Sequence, residues 1–168
     1  MIVIYGAKGW IGTMICEYLS NQNKDYVASE LRVDNVIEIE KELNNIKPSH
    51  VLSVIGRTHG KEYSTIDYLE QKGKLKENIN DNLFSPVSLA LLCKQKEIHF
   101  TYLGTGCIFS ENAENIKLSD GFDENAEPNF FGSSYSTVKG FTDRIMHCLS
   151  DSVLNVRIRM PIAGYDHP

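Results

Sequence analysis

Tyr135 and Lys139 lie four residues apart in SSYSTVKGFTDRIMHCL, so on a helix both side chains leave the same face. A free phenol, with a pKa of about 10, exchanges protons poorly near neutrality. An ammonium beside it stabilises the phenolate and is expected to bring that value down. The pair is a candidate acid for a carbonyl oxygen. LGTGCIFS holds a second pair, Thr105 and Cys107. It offers a hydroxyl for the same oxygen and a thiol whose ordinary pKa of about 8.5 suits proton exchange. Each pair has a plainer reading. Tyr-x-x-x-Lys arises often by chance, and an ordinary strand end uses its threonine for backbone bonds and its cysteine as a small hydrophobe. The surrounding elements must decide.

Five short apolar runs alternate with helical periods. MIVIY (1–5), DYVAS (25–29), HVLSVIG (50–56), HFTYLG (99–104) and VLNVRIR (153–159) read as strands, continuous enough to be buried on both faces. Between them, Ile11, Met14, Ile15, Tyr18 and Leu19 follow a helical period. Residues 35–46 read as a helix stopped by Pro48, roughly 75–96 as one long helix, and the Tyr135/Lys139 segment as the last. Residues 110–130, acidic and rich in Asn and Ser, are the long loop. The alternation predicts an α/β doubly wound parallel sheet, the architecture of Rossmann-type domains. Thr105 then falls at the C-terminal end of the fourth strand, where such sheets gather their sites.

The turn after the first strand reads GAKGWIG. Gly6, Gly9 and Gly12 bring strand, turn and helix close together and leave amides at a helix start for a pyrophosphate. Lys8, Trp10 and Ile11 in this turn, with Ile55 and Gly56 at the end of the third strand, are further cofactor-binding candidates. At the tip of the second strand, SELR offers Glu30 for a ribose and Arg32 for a 2′-phosphate. Ser29 and Arg32 favour NADP(H), with NAD(H) open. Solvated loop charges explain the same residues. In the long helix, Pro86 has no N–H for the carbonyl of Asn82. That carbonyl is a candidate to hold a water leading protons to Lys139; a simple proline kink is the alternative.

Composition narrows the field. The 168 residues are 42% hydrophobic, enough for one domain with a core, and carry 17 basic against 22 acidic side chains. A net charge of −5 disfavours nucleic acid or an anionic membrane surface as partner. No run approaches a membrane span, and Met1 leads into MIVIYG without a basic leader, so a cytoplasmic protein is expected. Cysteines 16, 93, 107 and 148 lack metal-ligand spacing and are expected as reduced thiols, with no metal site.

The spacing G-x-x-G-x-x-G resembles that of extended short-chain dehydrogenase/reductases. GWIG, TGCIF, PNFFGSSYSTVK and VRIRMPI together resemble the bifunctional nucleotide-rhamnose synthase/epimerase-reductases, with dTDP-4-dehydrorhamnose reductases more distant. The resemblance covers nearly the whole chain. It implies 3,5-epimerisation and NADPH-dependent 4-keto reduction of a nucleotide-4-keto-6-deoxyglucose, UDP-linked by preference, to nucleotide-L-rhamnose. It makes Thr105, Tyr135 and Lys139 the reductase triad and Cys107 one epimerase acid/base. Lys139 would also hold the nicotinamide ribose, Asn82 would serve the proton relay, and Asn129 would touch the substrate beside Thr105 and Tyr135. Met160, Pro161 and Ile162 fall where the family meets the nicotinamide. RTHGKEYS (57–64) departs from the plant-like pattern, so Arg57 and His59 receive no catalytic role. Family members continue past RMPI into a substrate region. The chain is therefore expected to be the cofactor-binding domain of a longer enzyme, inactive alone and prone either to self-association, as in a homodimer, or to mobility over 110–130. A simple 4-reductase with a structural Cys107, or a non-catalytic NADP-binding regulatory subunit, are the other functions the residues allow.

Overall fold

The computed structural model describes residues 1–111 and 121–161. Five strands, β1 (Ile2–Tyr5), β2 (Tyr26–Ala28), β3 (His50–Ser53), β4 (His99–Thr105) and β5 (Val153–Ile158), form one sheet in the order β2-β1-β3-β4-β5. Every pairing is parallel, as apolar runs joined by helical crossovers require. Val3 and Tyr5 of β1, Val51 of β3 and Phe100 and Tyr102 of β4 are buried in the core with Val153. Helices α1 (Trp10–Asn21), α2 (Val36–Ile46), α3 (Leu75–Ile79), α4 (Ser85–Gln95) and α5 (Ser134–His147) connect the strands. Ile39 and Leu43 of α2, Leu89 and Cys93 of α4 and Met146 of α5 complete the core. Asn35 accepts the Glu38 N–H to start α2, and Lys47, in left-handed backbone, ends it. The doubly wound sheet expected from the alternation is the one observed.

The order reverses direction between β1 and β3, and open α/β sheets bind ligands in the crevice at that point. Two connections differ from the sequence reading. The helix expected over 75–96 is interrupted by a π turn, Asn80–Phe84, between α3 and α4. Pro86 cannot donate, and the wider turn lets the Ser85 N–H reach the Asn80 carbonyl just before it. A 3-10 turn, Ile66–Glu70, follows the polar loop. It has too few turns to show a period.

Of the long loop, residues 121–130 are anchored. Arg157 on β5 donates to the carbonyls of Asp123, Glu124 and Ala126. Residues 112–120 lie outside the described residues. Among those described, no helix is long and apolar enough to cross a membrane.

Candidate active site

The glycine turn has the shape that a phosphate cradle needs. Gly6 takes a φ of +85°, and a Cβ there would press on the Val54 and Ile55 backbone. A Cβ on Gly12 would lie 2.3 Å from the Gly6 carbonyl oxygen, so only glycine lets α1 start against the end of β1. Gly9 ends the turn, its N–H donating to the Gly6 carbonyl at 3.0 Å, and directly precedes Trp10 and Ile11 in the first turn of α1. Ile55 and Gly56 follow β3 on the other side of the crevice. The residues present fit a pyrophosphate.

At the tip of β2, carboxylates already hold the candidate phosphate ligands. The Ser29 hydroxyl donates to Glu42 on α2 at 2.9–3.0 Å and accepts the Leu31 N–H. Arg32 bridges Asp34 and Asp81, both at 3.2 Å. Lys8 pairs with Glu30 at 2.8 Å in the open, holding that carboxyl below its usual range. The Lys8–Glu30 pair, exposed on both sides, contributes little to stability.

The second half of the site forms where β4 ends. A 3-10 turn, Gly106–Ile108, follows Thr105. The Thr105 hydroxyl accepts the Cys107 N–H at 3.1 Å and lies beside the Tyr135 phenol. The Ser136 hydroxyl donates to the Cys107 carbonyl at 2.8 Å, fixing the turn to α5. Glu70, 64 residues upstream, spans the start of that helix by accepting the N–H groups of Ser134 and Tyr135. Thr105, Cys107, Tyr135 and Lys139 are thereby brought together, as the sequence suggests. Pro161 is at the exposed end of the described chain, and Ile162 lies outside the described residues.

The electrostatics correct one expectation. The Tyr135 phenol is not lowered. Burial pushes it up to about 12, with the Thr105 hydroxyl opposing and Cys107 adding to the rise. Lys139, buried beneath it, gives its ammonium to the Tyr102 phenol instead. Burial pushes Lys139 down to about 8, against the pull of Asp143 and Cys107. Asp143 is itself held by Arg157 at 2.8–2.9 Å and by Asn155 at 2.8 Å.

Asn82 and Asn129 also have partners that the sequence did not reveal. The Asn82 carbonyl, freed by Pro86, accepts the Thr142 hydroxyl at 2.6 Å, where a water leading to Lys139 was expected. Its side chain clamps both polar backbone atoms of Arg57 at 3.0 Å and donates to Asn78. The Asn129 amide bridges the N–H and carbonyl of Ser110 at 2.7 and 3.1 Å, so it ties the loop down where a substrate contact was expected. Arg57 pairs with Asp81 and Glu77, a structural role. Sequence reasoning missed Tyr102, Glu70 and the Asp143–Arg157 pair. Only the four-residue spacing of Tyr135, Lys139 and Asp143 hinted at the last.

A parallel sheet with a glycine turn at its switch point and a Thr–Tyr–Lys cluster at its C-terminal edge defines a Rossmann-type α/β domain. The crystal structure of the L780 UDP-rhamnose synthase of Acanthamoeba polyphaga mimivirus superposes with a TM-score of 0.90 at 55% identity, covering 96% of this chain and 56% of that one. A trifunctional Arabidopsis thaliana enzyme, a UDP-glucose 4,6-dehydratase, UDP-4-keto-6-deoxy-D-glucose 3,5-epimerase and UDP-4-keto-L-rhamnose reductase, is 32% identical over 96% of this chain and 24% of its own length. A bifunctional dTDP-4-dehydrorhamnose 3,5-epimerase/reductase of the same plant is 31% identical, over 52% of its length. A dTDP-4-dehydrorhamnose reductase from Bacillus anthracis, solved in complex with NADP, shares the fold at 18% identity, with a TM-score of 0.79. No family profile matches the chain. The chain is thus similar to nucleotide-rhamnose synthase and epimerase/reductase enzymes, as its motifs indicated, and it spans little more than half the length of the mimivirus protein, 57%.

Proposed function

We propose that this chain is the cofactor-binding and catalytic portion of an NADPH-dependent epimerase/reductase that converts a UDP-linked 4-keto-6-deoxyglucose to UDP-L-rhamnose. The observation that carries the reading is the convergence of Thr105, Cys107, Tyr135 and Lys139 at the sheet edge that also carries the glycine turn. Identity of 55% to a UDP-rhamnose synthase supports the substrate class. The NADP complex of a fold relative supports the cofactor. The reading leaves recognition of the nucleotide moiety to sequence corresponding to the rest of those relatives.

Gly6, Gly9 and Gly12 would hold the cofactor's pyrophosphate, Arg32 and Ser29 its 2′-phosphate, and Lys139 its ribose. The nicotinamide, when bound, supplies the hydride. Thr105 and Tyr135 grip the C4 carbonyl oxygen, and Tyr135 gives it a proton as reduction proceeds. A phenol held above its usual range is fully protonated at neutral pH and ready to donate. The same grip stabilises the enolate formed when a proton leaves C3 or C5, so epimerisation requires only an added base and acid. Cys107, half-buried beside both groups, is assigned one of those roles.

The test joins residues 1–161 to the remaining portion of the mimivirus enzyme. This chimera should consume NADPH with the UDP-4-keto sugar and incorporate solvent deuterium at C3 and C5. Cys107→Ser should abolish the incorporation while sparing reduction of an already inverted substrate. Wild-type exchange in the Ser variant would leave a simple reductase, a reading that the two backbone hydrogen bonds of Cys107 also fit.

A further inference from the structure

Tyr102 has no part in the chemistry above, yet it lies wholly buried on β4 directly beneath Lys139. Two observations tie them. The Lys139 ammonium donates to the Tyr102 phenol oxygen, and its nitrogen sits 4.6 Å from the centre of the Tyr102 ring. The surrounding packing preserves the contact. Gly104, two residues along the strand, leaves space that a Cβ would fill 2.9 Å from Asn155 Oδ1 and 3.5 Å from the Tyr102 ring. Asn155, the cross-strand neighbour of Tyr102, donates to Asp143 one helical turn below Lys139. Thr142 takes the Asn82 carbonyl, while the Lys139 amine donates to Tyr102.

We propose that Tyr102 is a positioning residue for the reduction: its phenol oxygen fixes the Lys139 amine between β4 and α5 and sets the charge state that Lys139 carries in the site. The proposal rests on reading Tyr135 and Lys139 as the reductase pair. Among the described residues, the groups acting on Lys139 are Tyr102 on β4, Cys107 on the turn after it and Asp143 on its own helix, while Tyr135 acts on Tyr102. Arg157 on β5 reaches it only through Asp143. A buried ammonium that loses a neutral acceptor binds its proton less tightly. Tyr102→Phe keeps the ring and removes only that acceptor.

The experiment labels this chain with [13C]lysine and follows the Lys139 signal, assigned by its absence from Lys139→Met, through its titration. Wild type should titrate near 8. Tyr102→Phe should bind the proton about tenfold less tightly, with the other lysines unmoved. A purely structural tyrosine would lower the melting point and leave the Lys139 titration in place, which overturns the proposal. Should the variant fail to fold, wild-type chain labelled with [13Cζ]tyrosine decides. The Tyr102 signal must move in step with Lys139, and a signal that stays still overturns the proposal. Titrating NADPH into the same samples separates the two readings. Binding with an unmoved Lys139 sinks the role of Tyr102 alone, whereas no binding removes the reductase reading and this proposal with it.

Discussion

The glycine turn and the β4–α5 cluster lie at the same edge of one parallel sheet but are built by different means. In the turn, the functional groups are close in sequence. Gly6 and Gly12 are six residues apart, and their chemistry is backbone amides whose placement depends on the absence of two Cβ atoms. In the cluster, everything is distant. Tyr135 owes its place to Glu70, Lys139 its hydrogen bond to Tyr102, and Asp143 its ion pair to Arg157. A backbone site needs shape, which short sequence spacing encodes. A proton-transferring site needs a tuned environment, which residues from four separate segments must supply.

Removing the acid from the second region while leaving the first intact should separate them most sharply. In the chimera, Tyr135→Phe is expected to lower kcat by about 10²–10⁴, the usual worth of a placed general acid. NADPH affinity should change by less than about threefold, since Phe keeps the buried ring. Equal losses in both, measured by steady-state kinetics and calorimetry, would mean that the two regions are not separable.

A smaller effect should appear in stability. Burial takes Lys139 from 10.5 down to about 8, so between those values the unfolded chain holds a proton that the folded chain has released. Folding stability therefore gains as pH rises through that window, and the penalty of the buried charge is fully present below it. Lys139→Met removes the penalty. From pH 7 to pH 10, wild type should gain about 2–3 kcal/mol relative to the variant. Urea midpoints at the two pH values check this, and parallel curves would contradict the charged, buried lysine. The cluster, unlike the turn, is then a place where function is maintained against stability.

The same contrast explains how much could be read beforehand. Strand alternation, the glycine triplet and Tyr135/Lys139 were legible because periodicity and short spacing carry them. So was the convergence of Thr105 with Tyr135, since sheet topology dictates it. The direction of the Tyr135 shift was not. It depends on whether Lys139 turns toward Tyr135 or toward Tyr102, 37 residues away in sequence. Asn82 shows the same limit. Pro86 correctly marked its carbonyl as free of the helix, but Thr142, 60 residues on, takes it. Asn129 sits in a motif that suggested substrate, yet its amide holds Ser110. The π turn before Pro86 was hidden because a one-residue widening leaves the apolar period of the helix nearly unchanged.

The most direct measurement of the central claim is calorimetric titration of NADPH into this chain and into its Gly12→Val variant. The side chain in that variant meets the Gly6 carbonyl, and no rotamer relieves a clash that begins at Cβ. The account predicts saturable one-to-one binding by the wild-type chain, and loss of that binding in the variant. A wild-type chain that binds neither NADPH nor NADH would contradict it.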